Sequence, residues 1–122
     1  MREILFRGKR LDTGEWIEGD LLRINGHVFI FPDPAPKGID KYKVDPATVG
    51  QYTGLKDKNG KKIYEADILT VTFRNMGVVE WRDGGFVVNF GDMGIFELTH
   101  CFGYTYQMCI TGNIHDNADL IK

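Results

Sequence analysis

Two pairs of carboxylates, Glu18 with Asp20 and Glu65 with Asp67, have a spacing that acid–base chemistry could use. Residues two apart on an extended strand share one face at about 6.6 Å, a separation found between the carboxylates of some hydrolases. Asp and Glu can instead accept hydrogen bonds from the backbone amides of a turn. No candidate nucleophile, His partner or oxyanion-hole motif accompanies either pair, so we predict turn carboxylates and no catalytic residue. A small enzyme that uses these carboxylates is the alternative.

Four residues that can bind transition metals fall close together near the end of the chain: His100, Cys101, Cys109 and His115. On an extended strand, Cys109 and His115 would lie roughly 20 Å apart, whereas each zinc ligand lies about 2.0–2.3 Å from the metal. We therefore predict no metal site and no cofactor. The two cysteines lack C-x-x-C spacing and are expected to be free thiols.

All four prolines lie between residues 32 and 46, which predicts a long ordered loop instead of a central strand. Lys37, Lys41, Tyr42 and Lys43 form a basic and aromatic cluster within it. Because long loops on β scaffolds often bind partners, these four residues are the preferred contact surface if the chain binds a protein partner. The alternative is a surface insertion without a binding role.

The charge balance disfavours nucleic acid as the partner. The chain has 15 Lys and Arg against 17 Asp and Glu, a formal net charge of -2, whereas phosphate binding needs clustered cations. Its eight Phe, five Tyr and two Trp could stack bases, so weak binding of single-stranded nucleic acid is an alternative. We find no apolar run of about 20 residues and no signal peptide, and expect a cytoplasmic protein that does not bind membranes.

The pattern along the chain predicts a mainly β fold with at most short helical turns. Turn dipeptides occur at Asn25-Gly26, Asn59-Gly60 and Asp83-Gly84. Apolar and polar residues alternate in "LTVTF", residues 69–73, and in "YTYQMCIT", residues 104–111, as in half-buried strands. We expect Leu69, Val71 and Phe73 to share one buried face.

The chain also contains an internal similarity between "FRGKRLDTGEWIEGDLL" and "YTGLKDKNGKKIYEADIL". With one inserted residue, Glu18, Asp20 and Leu22 fall on Glu65, Asp67 and Leu69. A duplication of this kind predicts two similar β modules, about residues 1–52 and 53–117, packed into one compact domain over residues 1–122. Residues 18–22 should then have the same backbone conformation as residues 65–69.

The run "VGQYTGLKDKNGKKIYEADIL" resembles the signature of the YopX family of phage and prophage proteins. The start, "REILFRGKRLDTGEWIEGDL", and the end, "ITGNIHDNADLI", resemble the other two recognisable regions of that family. The resemblance implies a mainly β fold with barrel-like, SH3-like modules, encoded by bacteriophages or prophages, and supplies no catalytic residues. Ala66 stands where the family has Gly, so the resemblance does not predict a glycine-dependent turn there.

Two classes of function follow, a protein-interaction module and a small enzyme. We favour a non-enzymatic accessory protein of phage or prophage origin that binds an unidentified phage or host protein, because no acid, base and stabilising group converge in the sequence. Self-association through an exposed strand edge, giving a homo-oligomer, is a further alternative.

Overall fold

The computed structural model describes residues 3–34, 38, 42–72, 75–98 and 108–121, and these confirm the mainly β fold. Short 3₁₀ turns lie at Pro46–Thr48, Gly91–Met93 and Ala118–Ile121, and Tyr42 also has 3₁₀ geometry. The strands are β1 (Phe6–Lys9), β2 (Trp16–Ile24), β3 (His27–Phe31), β4 (Gly50–Lys56), β5 (Lys62–Tyr64), β6 (Asp67–Thr72), β7 (Asn75–Arg82), β8 (Gly85–Asn89), β9 (Ile95–Glu97) and β10 (Cys109–Asn113).

The strands form two five-stranded sheets, with the orders β3-β2-β1-β4-β5 and β10-β6-β7-β8-β9. The strand pairs with an assigned register are all antiparallel. A closed barrel needs hydrogen bonds between the first and last strands, and within the described ranges neither sheet has them. The predicted barrel-like modules are therefore not confirmed.

The chain divides into two compact units, Met1–Tyr52 and Thr53–Lys122. In the first unit, β1 pairs with β2 and with the start of β4, and β2 pairs with β3. In the second, β7 lies between β6 and β8. The duplication of one module into two stays a prediction.

Two of the predicted turns have the geometry of two-residue hairpin connections. Asn25 and Gly26 join β2 to β3 with φ of 50° and 82°, and Asp83 and Gly84 join β7 to β8 with the same two values. Two successive positive φ angles define the type I′ turn, whose twist matches that of the flanking strands. Both hairpins are confirmed.

Each unit has its own apolar core. The first contains Val28, Ile30 and Val44. The second contains Ile63, Leu69, Val79, Val88, Leu98 and Met108.

Burial along β6 differs from the predicted alternation. Leu69 is fully buried and Val71 packs against the same core, as expected, but Ile68 is fully buried too. Both faces of the strand are therefore covered at its start. Phe73 and residues 104–107 of the other predicted strand lie outside the described residues.

The backbone at Phe31, the last residue of β3, lies so close to Gly19 of β2 that there is no room for a side chain. A Cβ atom at this position would overlap the carbonyl carbon and oxygen of Phe31. Because that obstacle is backbone, no side-chain rotation can relieve it.

We predict that Gly19→Ala lowers the free energy of unfolding by more than about 2 kcal/mol, since the overlap forces β2 away from the end of β3. Gly85→Ala is the matched control, because a Cβ there meets no atom within 4 Å. Urea unfolding of both variants should show a change of less than about 0.5 kcal/mol for Gly85→Ala. Equal stability of the two variants would contradict the packing at Gly19.

Candidate functional site

The first carboxylate pair does not lie at a turn. Glu18 and Asp20 are exposed residues in the body of β2, opposite Arg7 of β1 and Phe31 of β3 respectively. Gly19 between them continues the strand, whereas Ala66 between the second pair has a φ of 76°. The expected match of residues 18–22 to residues 65–69 therefore fails at its centre, and Glu18 and Asp20 are strand residues.

The second pair does lie at a turn, between β5 and β6. Asp67 is 1% exposed, and its Oδ2 accepts a hydrogen bond from the Tyr64 amide at 2.7 Å. The Ala66 amide donates to the Val79 carbonyl at 2.7 Å, and the Ala66 carbonyl accepts from the Ile114 amide at 3.0 Å. These contacts hold Ala66 in a left-handed conformation although it is not glycine.

Glu65 has a different environment from Asp67. It is half-buried and lines a shallow depression together with Glu80, Trp81, Arg82 and Ile114. Asp67 is in the interior and is not part of that lining. The structure therefore does not bring the two carboxylates of this pair to one accessible surface, as a catalytic pair would require.

Asp57 is a carboxylate with three backbone hydrogen bonds that the sequence did not single out. It follows β4 and is 6% exposed. Its Oδ1 accepts from the amides of Asn59 and Lys61, each at 2.9 Å, and its Oδ2 accepts from the Ile110 amide at 3.0 Å. Because β4 and β5 are neighbours in one sheet, the hairpin predicted at Asn59-Gly60 is confirmed. Asp57 joins its loop to β10.

These contacts determine the charge state of Asp57. Burial alone would raise the pKa of its carboxyl, because it penalises the charged form. The hydrogen bonds from Ile110, Lys61 and Asn59, with the nearby Lys61 charge, outweigh burial and hold the pKa below its ordinary value. Asp57 is consequently a structural anion, stabilised in its ionised form.

The predicted contact loop is more closely packed than expected. Tyr42 is buried and its ring lies 5.8 Å from that of Phe31. Lys43 is half-buried, forms a β-bridge with Phe29, and its carbonyl accepts from the Leu11 amide at 3.0 Å.

The end of the loop is therefore held on the first unit, and the Tyr42 ring presents little surface to a partner. Lys37 and Lys41 lie outside the described residues.

The predicted absence of a metal site stays a prediction, because His100 and Cys101 lie outside the described residues. Within the described ranges, no three His, Cys, Asp or Glu side chains are grouped as metal ligands would be. Cys109 is a half-buried free thiol. The backbone amide of His115 donates to Asn113 Oδ1 at 3.0 Å, within a local turn.

Large apolar side chains are exposed along the β7–β9 region of the second unit. Trp81, Met93, Ile95 and Phe96 are exposed by 52%, 61%, 46% and 48%. Ile95 and Phe96 are adjacent on β9 and lie on opposite faces of the sheet. We call Trp81, Met93 and Phe96 the β7–β9 surface. The sequence does not indicate this surface, because the alternation of apolar and polar residues does not show which face of a strand another element covers.

Two aromatic contacts orient this surface. The Trp81 ring packs edge-on against Phe86 with centroids 4.8 Å apart, and Phe96 packs in the same manner against Phe90 at 6.0 Å. Rings fixed in this way lose little conformational freedom when a partner covers them.

Comparison with known proteins now places the chain. The family model described as YopX protein matches residues 5–122. This chain belongs to the YopX family. The crystal structure of protein EF1440 from Enterococcus faecalis is similar to this YopX chain, with 25% sequence identity, a TM-score of 0.71 and complete coverage of both chains. No curated protein matches the chain. In the described part of the YopX chain, no helix has the length and apolarity needed to cross a membrane.

We predict that Ala66→Gly stabilises this YopX chain by about 0.5–1 kcal/mol. Glycine removes the penalty of a left-handed φ, about 1–2 kcal/mol, and loses part of that gain through greater freedom when unfolded. Ala47, in the 3₁₀ turn Pro46–Thr48, lacks a positive φ, so Ala47→Gly is the matched control and should give no gain. Urea unfolding measures both, and a loss of stability on Ala66→Gly would contradict the turn geometry.

We predict that Asp57→Asn destabilises the chain by about 1–3 kcal/mol at pH 7. The Asn amide group cannot accept the Ile110 hydrogen bond while its oxygen accepts the other two, so a donor is left without its partner. Asp83→Asn, at an exposed hairpin turn where Asn is equally suited, is the control and should change stability by less than about 0.5 kcal/mol.

The effect of Asp57→Asn should depend on pH in a defined direction. Because the folded-state pKa is lowered, the ionised carboxylate stabilises the fold above the unfolded-state pKa, and this stabilisation disappears as pH falls through the folded-state pKa. The stability difference between the wild type and Asp57→Asn should therefore be largest above about pH 5 and should shrink below about pH 4. Urea unfolding at pH 7, 5 and 3 measures it, and a difference that grows toward low pH would contradict the assigned role.

Proposed function

We propose that this protein is a non-enzymatic protein-binding module of phage or prophage origin that acts in the bacterial cytoplasm and contacts its partner through the β7–β9 surface. The phage or prophage origin is proposed from the resemblance to the YopX family. The mode of action is proposed from the exposed apolar residues of the second unit.

The observation that carries the proposal is the composition and exposure of the β7–β9 surface. Trp, Phe and Met are enriched at the centres of protein interfaces, whereas Lys and Glu are depleted there. Trp81, Met93 and Phe96 are of these types and each is about half exposed or more. Exposed aromatic residues held by neighbouring rings are well suited to serve as anchors for a partner.

The arrangement of the carboxylates supports a binding role over an enzymatic one. Asp67 is committed to the amide of Tyr64, and Asp57 to three backbone amides. Both lie in the interior, with a lowered pKa for Asp57, whereas a general acid or base needs access to substrate and a pKa near the working pH.

The experiment compares proteins captured from phage-infected or lysogenic bacteria by the wild type and by two double variants. Trp81→Ser with Phe96→Ser removes two anchors of the β7–β9 surface. Leu22→Ser with Ile24→Ser is the matched control, because those residues of β2 are exposed to a similar degree, by 42% and 39%. Nuclease treatment before capture removes proteins held through nucleic acid.

We expect a phage or host protein to be retained by the wild type and the Leu22/Ile24 variant and lost by the Trp81/Phe96 variant. Retention by both variants would show that the β7–β9 surface is not the contact. Capture that nuclease abolishes would assign the binding to nucleic acid and would contradict the proposal.

A further inference from the structure

The chain contains two Asn-Gly dipeptides, and they lie in turns of different kinds. Asn25-Gly26 forms the two-residue turn between β2 and β3, and Asn59-Gly60 lies in the loop between β4 and β5. Asparagine followed by glycine is especially prone to spontaneous deamidation, because glycine has no side chain to hinder attack by its own amide nitrogen. The two turns therefore offer the same chemistry in different structural settings.

The reaction needs only water as a co-reactant. The glycine amide nitrogen gives up its proton and attacks the side-chain Cγ of asparagine, the bond from Cγ to Nδ2 breaks, and ammonia leaves. The product is a five-membered cyclic imide. Water then opens one of its two C–N bonds and gives aspartate, or isoaspartate, in which the backbone runs through the side-chain carbonyl. A glycine amide that already donates a hydrogen bond must release it before it can attack.

The backbone at Asn59-Gly60 is held by several hydrogen bonds. The Gly60 amide donates to the Asp57 carbonyl at 3.0 Å, and the Asn59 amide donates to Asp57 Oδ1 at 2.9 Å. The same carboxylate accepts from the amides of Lys61 at 2.9 Å and of Ile110 at 3.0 Å. The nitrogen that would attack is thus engaged, and the loop cannot rearrange without disturbing its connection to β10.

The turn at Asn25-Gly26 lies at the exposed end of its hairpin. Residues 22–27 are all exposed, and the register of β1 with β2 ends at Gly19, so in the described pairing this end consists of β2 and β3 alone. The hydrogen bond of a two-residue turn joins the flanking residues, here Ile24 and His27, and does not use the Gly26 amide. Exposed hairpin ends open locally at a lower free energy than the core.

We infer that Asn25 is a site of spontaneous deamidation in the folded protein, that Asn59 is protected by the hydrogen bonds of Asp57, and that the isoaspartyl product loosens the β2–β3 hairpin. Opening of the hairpin end lets the Asn25 backbone rotate until the Gly26 nitrogen reaches Cγ. The equivalent opening at Asn59 disrupts contacts to β10 as well. This inference is independent of the proposed function, because it involves neither the β7–β9 surface nor a partner.

The test is a time course of the full chain at mildly alkaline pH. Peptic digestion at low pH, where the reaction is slow, and mass spectrometry measure the conversion of amide to carboxyl at each asparagine. We expect Asn25 to convert at least about tenfold faster than Asn59, since each rate follows the population of the open turn. Equal rates, or faster conversion of Asn59, would overturn the inference.

The same time course in guanidinium chloride separates the effect of the fold from that of the local sequence. Unfolding removes the hydrogen bonds of both turns, so we expect the two rates to agree within about threefold. A preference of about tenfold for Asn25 that persists in the unfolded chain would assign it to the neighbouring residues and contradict the structural explanation.

Asp57→Asn tests the protection of Asn59 directly. The variant weakens the hydrogen bonds that hold this loop and leaves the β2–β3 hairpin intact, so we expect conversion of Asn59 to be at least about threefold faster and the rate at Asn25 to be unchanged. Asp92→Asn, an exposed acid outside both turns, is the matched control and should change neither rate.

Circular dichroism establishes that both variants fold. An unchanged rate at Asn59 in the folded Asp57→Asn variant would contradict the role of Asp57. An equal rise at Asn25 and Asn59 would assign the reaction to global unfolding and would also contradict local protection.

The loosening of the hairpin has its own measurement. Isoaspartate adds a methylene group to the backbone of a two-residue turn, whose length sets the pairing of Ile24 with His27. Asn25→Asp is the matched control, because aspartate keeps the normal backbone and suits a type I′ turn. Hydrogen exchange should be faster at the His27 amide of the purified isoaspartyl form than in Asn25→Asp. Equal exchange would contradict this part of the inference.

Discussion

The second unit depends on one buried carboxylate. Asp57 receives the amides of Asn59, Lys61 and Ile110, so one side chain both closes the β4–β5 hairpin and fixes the start of β10. The Lys58 amide adds a bond to the Met108 carbonyl at 3.0 Å. An anion in this position accepts from three partly buried amide donors, and hydrogen bonds to a charged acceptor are among the stronger ones in proteins.

The strands that carry the exposed apolar residues are held in place by the buried core. The core contains buried side chains from β7, from β8 and from the residue after β9, namely Val79, Val88 and Leu98. These strands are therefore held by the core even though Trp81 and Phe96 remain exposed. Apolar side chains left in water contribute little to folding, because the favourable term comes from apolar area removed from water. Core packing and the exposed apolar surface thus involve different residues of the same sheet.

The sequence predicted the features that depend on local backbone preference. Asn25-Gly26 and Asp83-Gly84 were found because positive φ angles restrict the residue types at a hairpin turn. The role of Asp57 was not found, because its decisive partner, Ile110, is 53 residues away along the chain. Tyr42 was predicted as a contact residue from its basic neighbours, whereas its burial depends on the return of the chain to β3. The β7–β9 surface was missed for a related reason, since alternation does not show which face another element covers.

The most direct measurement is an NMR pH titration that follows the carboxyl carbon of Asp57 and the amide proton of Ile110 in the same sample. We predict that Asp57 titrates below the ordinary aspartate value and that the Ile110 amide shifts with the same midpoint, because the Ile110 amide donates a hydrogen bond to the Asp57 carboxylate. An ordinary midpoint for Asp57, or an Ile110 amide that does not follow it, would contradict the claim that this carboxylate joins the hairpin to β10.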